Sequence, residues 1–331
     1  MIDSFFISNY KSIRRAALSC KRINVFIGEP NSGKSNILEA LSLLGNPVFT
    51  DGMLSKQILR YKTLGDIFYD FNINRPILIQ GGNINTALEY AVRENGVPEN
   101  EFQLTITDGK TSHNHSPFKI GHNGELKGDG TYPDSAFKYY QYKRLDNFQV
   151  QFLSSLSTPF GENLPALLLS NEDYRAWASD FFASKGFNLT LKPAENEINI
   201  SKIINNAIYS YPYQSVSETL QRVVFYMMAI KSNKNAILLL DEPETNTFPF
   251  YTKFLGESMA LDKANQYFIT THNPYLLINL IEKTSFEDIN VCVATMNDDY
   301  TTEIITLSQT QLEQVLDLNS DVFFNLDAII D

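Results

Sequence analysis

The sequence GEPNSGKS, at residues 28–35, decides how this chain of 331 residues should fold. It follows the apolar run INVFI at residues 23–27, which is typical of a buried strand. Apolar residues then recur at spacings of four and three over residues 37–44, which predicts a helix that stops at Gly45. The order strand, loop, helix is the context in which this eight-residue pattern forms a phosphate-binding loop.

The glycines of this loop allow the backbone to curl until its N–H groups and the start of the following helix face a polyphosphate. Lys34 is then expected to reach the terminal phosphates, and the Ser35 hydroxyl to bind Mg²⁺. The loop therefore predicts a polyphosphate ligand with Mg²⁺. The residues predicted to bind the nucleotide within and just after the loop are Gly28, Asn31, Ser32, Gly33, Lys34, Ser35 and Asn36.

A second motif, ILLLDEPE at residues 237–244, has the form of a Walker B segment. Asp241 closes a run of aliphatic residues, so a strand would hold its carboxylate at the carboxyl edge of a sheet, where ligands of open α/β sheets bind. We predict that Asp241 and Ser35 support Mg²⁺, and that Glu242 lies beside an attacking water.

The composition indicates a folded protein of about two domains. Its 43% hydrophobic and 20% charged residues exclude collagen-like and disordered proteins. The net charge of −11 argues against a surface that binds nucleic acid throughout, so any contact with DNA should be a local patch. Two cysteines cannot build a disulfide framework, which fits a cytoplasmic location. The apolar runs fall short of the roughly 20 residues of a membrane span, so no membrane partner is expected.

The order of the motifs predicts an α/β fold of the P-loop NTPase class in three parts. Residues 1–46 contain the phosphate loop, and residues 206–331 return to an α/β pattern with the second motif. Residues 47–205 are rich in turn signals and β-like segments, with a helical pattern near 171–184. We predict that they form an inserted, β-rich and helical subdomain.

Several separated segments resemble ABC-type ATPases of the SMC and RecF kind, in particular the bacterial AAA_15/AAA_21-like ATPases related to the ATPase part of OLD-family and abortive-infection proteins. They cover the two ends of the chain and stand in the family's order. The segments are NYKSI at 9–13, GKSN at 33–36, SETLQR at 217–222, DEPE at 241–244 and FITTHNP at 268–274.

The resemblance implies an ATPase head with a central, mostly parallel sheet and an antiparallel β subdomain. It also implies three catalytic residues for hydrolysis of the phosphoric anhydride. Lys34 would hold phosphate, Glu242 would polarise the attacking water, and His272 would contact the γ-phosphate and sense its loss, as an imidazole can.

The resemblance further implies a head-to-tail homodimer with two ATP molecules between the subunits. In such a dimer a signature serine of one subunit contacts the γ-phosphate bound to the other. Spacing favours Ser217, whereas the competing Ser215 forms a capping-box pattern with Glu218. The sequence departs from the family at Thr245 and Asn246, where relatives often carry Ala-His.

The family also uses a glutamine that senses Mg²⁺, and Gln80 is the candidate early in the insertion. Five cations near the N-terminus could form a local patch for double-stranded DNA, or only a solvated hairpin. These cations are Lys11, Arg14, Arg15, Lys21 and Arg22.

Two functions stay open on the sequence. The first is a hydrolysing ATPase that signals to DNA or to a separate nuclease or effector protein, in DNA repair or phage defence. The second is a slow or non-hydrolysing ATP-gated scaffold that binds or restrains a partner protein. Glu242 and His272 favour the first function, and the departures at the signature and at Thr245 favour the second.

Overall fold

The computed structural model describes residues 1–45, 49–50, 52–92, 98–109, 118–127 and 135–330. The strands, in chain order, are β1 (Ser4–Tyr10), β2 (Ile13–Ser19), β3 (Ile23–Ile27), β4 (Phe49–Thr50), β5 (Met53–Leu54), β6 (Ile77–Gly81), β7 (Ile84–Val92), β8 (Pro98–Asp108), β9 (Phe118–Gly121), β10 (Leu126–Lys127), β11 (Phe137–Tyr140), β12 (Asn188–Lys192), β13 (Glu197–Ile204), β14 (Ala207–Pro212), β15 (Ile237–Asp241), β16 (Gln266–Thr270), β17 (Ile289–Met296) and β18 (Thr302–Thr306). The α-helices are α1 (Lys34–Ser42), α2 (Lys56–Leu59), α3 (Leu164–Ser170), α4 (Glu172–Ala183), α5 (Glu218–Ser232), α6 (Pro249–Leu261), α7 (Pro274–Lys283), α8 (Gln309–Leu318) and α9 (Leu326–Ile330).

The central sheet has the strand order β11-β15-β16-β3-β17-β18. The first five strands are parallel, and β18 runs antiparallel to β17. Because parallel strands end at the same edge, the loops that follow β3, β15 and β16 meet there. This sheet confirms the predicted α/β fold of the P-loop class.

A second sheet of seven strands has the order β10-β9-β8-β7-β6-β1-β2, and the strands pair antiparallel. It confirms the antiparallel β part that the family resemblance implies. A smaller sheet of β12, β13 and β14 stands apart from both, and β14 is exposed along its whole length.

Helix α1 lies between the two large sheets, and helices α5, α6 and α7 cover the other face of the central sheet. The alternation of strand side chains produces these layers. In β15, Ile237 and Leu239 pack in the layer of α1, whereas Leu238 and Leu240 pack with the outer helices. Burial on both faces stabilises the strand by about 1.5–3 kcal/mol for each such side chain.

The strands of residues 47–205 are shared among the sheets. Strands β6 to β10 extend the antiparallel sheet from β1, while β11 pairs in parallel with β15 in the central sheet. The division of the chain at 46 and 205 stays a prediction, and residues 46–48 lie outside the described part.

Local elements follow the sequence pattern closely where apolar periodicity is strong. Strand β3 has the predicted bounds, residues 23–27. Among the described residues, none of the helices has the length and apolar character needed to span a bilayer.

Candidate nucleotide-binding site

The phosphate loop connects β3 to α1, and its two glycines occupy conformations that other residues rarely adopt. Gly33 is the N-cap of α1 with φ of 96°, and a Cβ there would lie 2.1 Å from Thr302 Oγ1. Gly28 has φ of 142°, and a Cβ there would lie 2.2 Å from the carbonyl oxygen of Ala294. Both positions therefore require glycine.

The Lys34 ammonium is folded back onto its own loop. Its Nζ donates to the carbonyl oxygens of Gly28 at 2.9 Å and Glu29 at 2.7 Å. Burial lowers the pKa of Lys34, and the nearby carboxylates of Glu242 and Asp241 oppose that effect. From this position the ammonium can exchange carbonyl partners for phosphate oxygens at the start of α1.

Ser35 and Asp241, which are 206 residues apart in the chain, are joined directly. Ser35 Oγ donates to Asp241 Oδ1 at 3.0 Å, and Thr270 Oγ1 donates to the same oxygen at 2.5 Å. Burial raises the pKa of Asp241. A hydroxyl and a carboxylate are the hard oxygen ligands that Mg²⁺ prefers, and the charge of the cation would favour the ionised carboxylate. The donor set thus fits the predicted metal.

Glu242 and His272 form an ion pair at the same edge, with 2.6 Å between Oε1 and Nε2. The hydrogen bond from His272 lowers the pKa of Glu242, and the same bond raises the pKa of His272. Glu242 has φ of 46°, in the left-handed region, and its N–H donates to Thr270 Oγ1 at 3.1 Å. Backbone strain of this kind is often found at functional sites.

An open cavity of about 460 Å³ spans this edge. Five of the predicted nucleotide-binding residues line it, together with Glu242 and His272, whereas Gly28 and Ser32 line a neighbouring cavity beside Ala294. The five are Asn31, Gly33, Lys34, Ser35 and Asn36.

Two further cations line the cavity beyond Asn36, and a buried glutamate holds them there. Lys11 Nζ lies 2.5 Å from Glu39 Oε2, and Arg60 Nε donates to Glu39 Oε1 at 2.5 Å. For Lys11 the sequence predicts either a local DNA patch or a solvated hairpin, and it predicts no role for Arg60. Of these two cations, only Lys11 lies in a recognisable motif, so only its position near the cavity could have been predicted. Arg60 lies in a segment without such a pattern.

The predicted signature serine, Ser217, lies outside the lining of this cavity. Ser217 is the N-cap of α5, whereas Ser215 belongs to a preceding 3-10 turn, Tyr213–Ser215. The N-cap position of α5 therefore belongs to Ser217, not to Ser215 as the spacing of Ser215 from Glu218 suggested. Ser217 does not line the cavity of its own chain that holds Lys34.

The candidate glutamine Gln80 is in the wrong place. It lies on β6 in the antiparallel sheet, where it lines a groove with residues of β1 and β2. Gln141 instead directly follows β11, at the edge where Asp241 ends β15. No local pattern favours Gln141, because the pairing of β11 with β15 joins segments about a hundred residues apart.

Three of the five N-terminal cations donate hydrogen bonds to other groups in the described part of the chain. Besides Lys11, the Lys21 Nζ donates to the carbonyl oxygens of Phe286 and Ile289, at 2.6 and 3.0 Å. Arg22 is buried and donates to three carbonyl oxygens at the end of α6. Of the five, Arg14 and Arg15 are exposed, on β2.

The sheet order, the phosphate loop and the acidic residues at the strand ends together define an ATP-binding P-loop ATPase of the ABC type. A family profile described as "AAA domain, putative AbiEii toxin, Type IV TA system" matches residues 23–279. The chain belongs to this AAA_21 family, and the predicted resemblance to SMC/RecF-like ABC-type ATPases is confirmed.

Solved structures of low sequence identity share the fold. One is the SMC head bound to the C-terminal winged-helix domain of ScpA, with 15% identity, a TM-score of 0.55, and 94% of this chain and 99% of that chain covered. Another is the SMC head with an extended coiled coil bound to the C-terminal domain of ScpA, derived from Pyrococcus furiosus. It has 12% identity, a TM-score of 0.51, and coverage of 96% and 98%. No curated protein matches the chain.

Proposed function

We propose that the protein hydrolyses ATP with Mg²⁺ and that two subunits close head to tail around the nucleotides. The observation that carries this proposal is the meeting of four side chains, Lys34, Ser35, Glu242 and His272, at one cavity, with Asp241 hydrogen-bonded to Ser35 beside it.

In the proposed reaction, Glu242 accepts a proton from water as the water oxygen bonds to the γ-phosphorus and the bond to the β-phosphate oxygen breaks. The lowered pKa keeps Glu242 ionised at neutral pH, which is the form a base needs. Lys34 and His272 offset the charge that develops on the phosphate oxygens. Mg²⁺, when bound beside Ser35 and Asp241, supplies further charge neutralisation, and Gln141 is proposed as its sensor in place of Gln80.

Exposed aromatic side chains support the proposed dimer. Phe248 and Phe250 follow the second motif at the start of α6, and they are 65% and 63% exposed. Large apolar side chains clustered beside a binding edge often mark a contact surface. Helix α5, which begins just after Ser217, is called the signature helix below. Its Thr219 Oγ1 donates to the carbonyl oxygen of Asn246, which connects the segment before Phe248 to the start of this helix.

The experiment that tests the proposal compares the wild-type protein with Glu242→Gln, measuring ATP turnover and molecular mass by size exclusion. We expect turnover to be lost in the variant while ATP-dependent dimers accumulate. Glu257→Gln is the matched control, since that exposed side chain on α6 pairs with Lys283 at 3.8 Å, away from the cavity lining. Full turnover by Glu242→Gln would refute the assigned base.

A protein partner is proposed in preference to DNA. Two exposed arginines are a small patch for an acidic chain, whereas the β13–β14 hairpin exposes Ile203 and Ile208, which pair directly across the strands. The edge strand β14 carries no charged residue, and such edges accept additional strands. The double variant Arg14→Glu, Arg15→Glu should bind the effector protein as wild type does. Ile208→Lys should impair binding of the effector protein without changing basal ATP turnover.

The biological role is proposed as phage defence in preference to DNA repair, because the description of the matching family names an AbiEii toxin of a type IV toxin–antitoxin system. Plating efficiency of phages on host cells that express wild type or Glu242→Gln tests this role. Equal plating on both strains would argue against it.

One observation favours the slow scaffold as a second candidate. The 2.6 Å pair engages Glu242 with His272, so neither group is free to act on water or phosphate until the pair opens. Single-turnover kinetics with purified protein separate the two functions, because a scaffold would bind ATP tightly and release little phosphate.

A further inference from the structure

The second glutamate of the DEPE motif, Glu244, has no part in the proposed chemistry, yet it is almost completely buried. Only 5% of its surface is exposed. Its Oε1 accepts a hydrogen bond from Thr271 Oγ1, while Oε2 has no partner in the described part of the chain. Burial of a carboxyl group with one oxygen unsatisfied is costly, so such a group is expected to serve a purpose.

Thr271 also forms a hydrogen bond within the loop that carries His272. Thr271 Oγ1 accepts from the backbone N–H of Asn273 at 2.9 Å. The Asn273 side chain in turn caps α7 by accepting from the N–H groups of Tyr275 at 2.9 Å and Leu276 at 3.3 Å. His272 is therefore held between two anchored residues, and Glu244 lies at the end of the chain of bonds.

Three ionisable groups interact electrostatically with Glu244. They are Glu242 from its own loop, His272 from the loop after β16, and the buried Tyr226 from α5. Burial raises the pKa of Glu244 to about 7. The carboxyl group thus lies within electrostatic reach of both members of the catalytic ion pair and of the signature helix.

We propose that Glu244 is a positioning residue, which ties the loop after β15 to the loop after β16 through Thr271 and so sets His272 against Glu242. The inference rests on the proposed function for its kinetic consequence, but the alignment of the two loops is independent of it. Without this tie, the imidazole loses its fixed distance from the Glu242 carboxylate.

The test uses pairs of variants that keep or remove one hydrogen bond. Glu244→Gln keeps an acceptor oxygen for Thr271, and Thr271→Ser keeps the hydroxyl, whereas Glu244→Ala and Thr271→Val break the bond. We expect kcat to fall about 10–100-fold in the second pair and to stay near the wild-type value in the first. The Kd for ATP should not change, because Glu244 and Thr271 do not line the cavity.

A second readout does not require turnover. NMR titration of His272, assigned by comparison with His272→Gln, should show the raised pKa in wild type and in the first pair, and a return toward the ordinary value in the second. A wild-type protein without turnover would refute the proposed function yet leave this titration valid as a test of positioning. Unchanged titration and kcat in folded Glu244→Ala or Thr271→Val would overturn the inference, and so would loss of both in Glu244→Gln.

Discussion

Replacing Glu244 by glutamine should change how the stability of the protein depends on pH. In the folded protein the pKa of Glu244 is about 7, against an ordinary value of 4.5. Between these values the folded state binds more protons than the unfolded state, so the free energy of unfolding falls as pH rises. At about 1.4 kcal/mol for each pH unit, wild type loses about 3 kcal/mol over this range through Glu244 alone.

Glutamine cannot ionise, so the variant does not have this loss. It also keeps the acceptor for Thr271 and leaves one buried polar group unpaired, as wild type does. The difference in unfolding free energy between Glu244→Gln and wild type should therefore grow by about 3 kcal/mol from pH 4.5 to pH 7, and change little above that. The contributions of ionisable groups that do not interact with Glu244 cancel in this difference.

Urea denaturation followed by the fluorescence of Trp177, the single tryptophan, measures this difference at half-unit pH intervals. Glu257→Gln provides the control, because it makes the same substitution at an exposed glutamate of α6. Parallel curves for Glu244→Gln would show that Glu244 keeps an ordinary pKa in the folded protein, and the reasoning from its burial would be wrong.

Further predictions concern the loop and the core. Gly33→Ala should lower the free energy of unfolding by about 1–3 kcal/mol from backbone strain alone. It should also weaken ATP binding, measured by calorimetry, because the added Cβ would collide with Thr302. Unchanged ATP affinity would contradict the loop geometry. Arg22→Met should cost about 1–3 kcal/mol in urea denaturation, since carbonyl groups at the end of α6 lose their donor, and a neutral result would argue for solvation of these groups. Leu239→Ala, fully buried in β15, should cost about 2–5 kcal/mol, and a smaller loss would mean that the neighbouring layers collapse into the space.

The local elements and the chemistry at their ends could be read from the sequence. Strand β3, the phosphate loop and α1 follow from apolar periodicity and glycine positions over adjacent residues, and β15 ends at Asp241 for the same reason. These features depend on interactions between near neighbours in the chain. Glu242 follows from the same motif, whereas His272 was predicted from the resemblance to the ATPase family.

Tertiary structure alone decided which distant segments pair and which charges are free. The parallel pairing of β11 with β15 brings Gln141 to the sheet edge where Asp241 ends β15 and leaves Gln80 in the other sheet, and no local pattern specifies such a partner. Arg22 and Glu244 have polar side chains that a sequence alone would place in solvent. Their burial depends on which helix ends and loops cover them, and therefore on contacts between residues far apart in the chain.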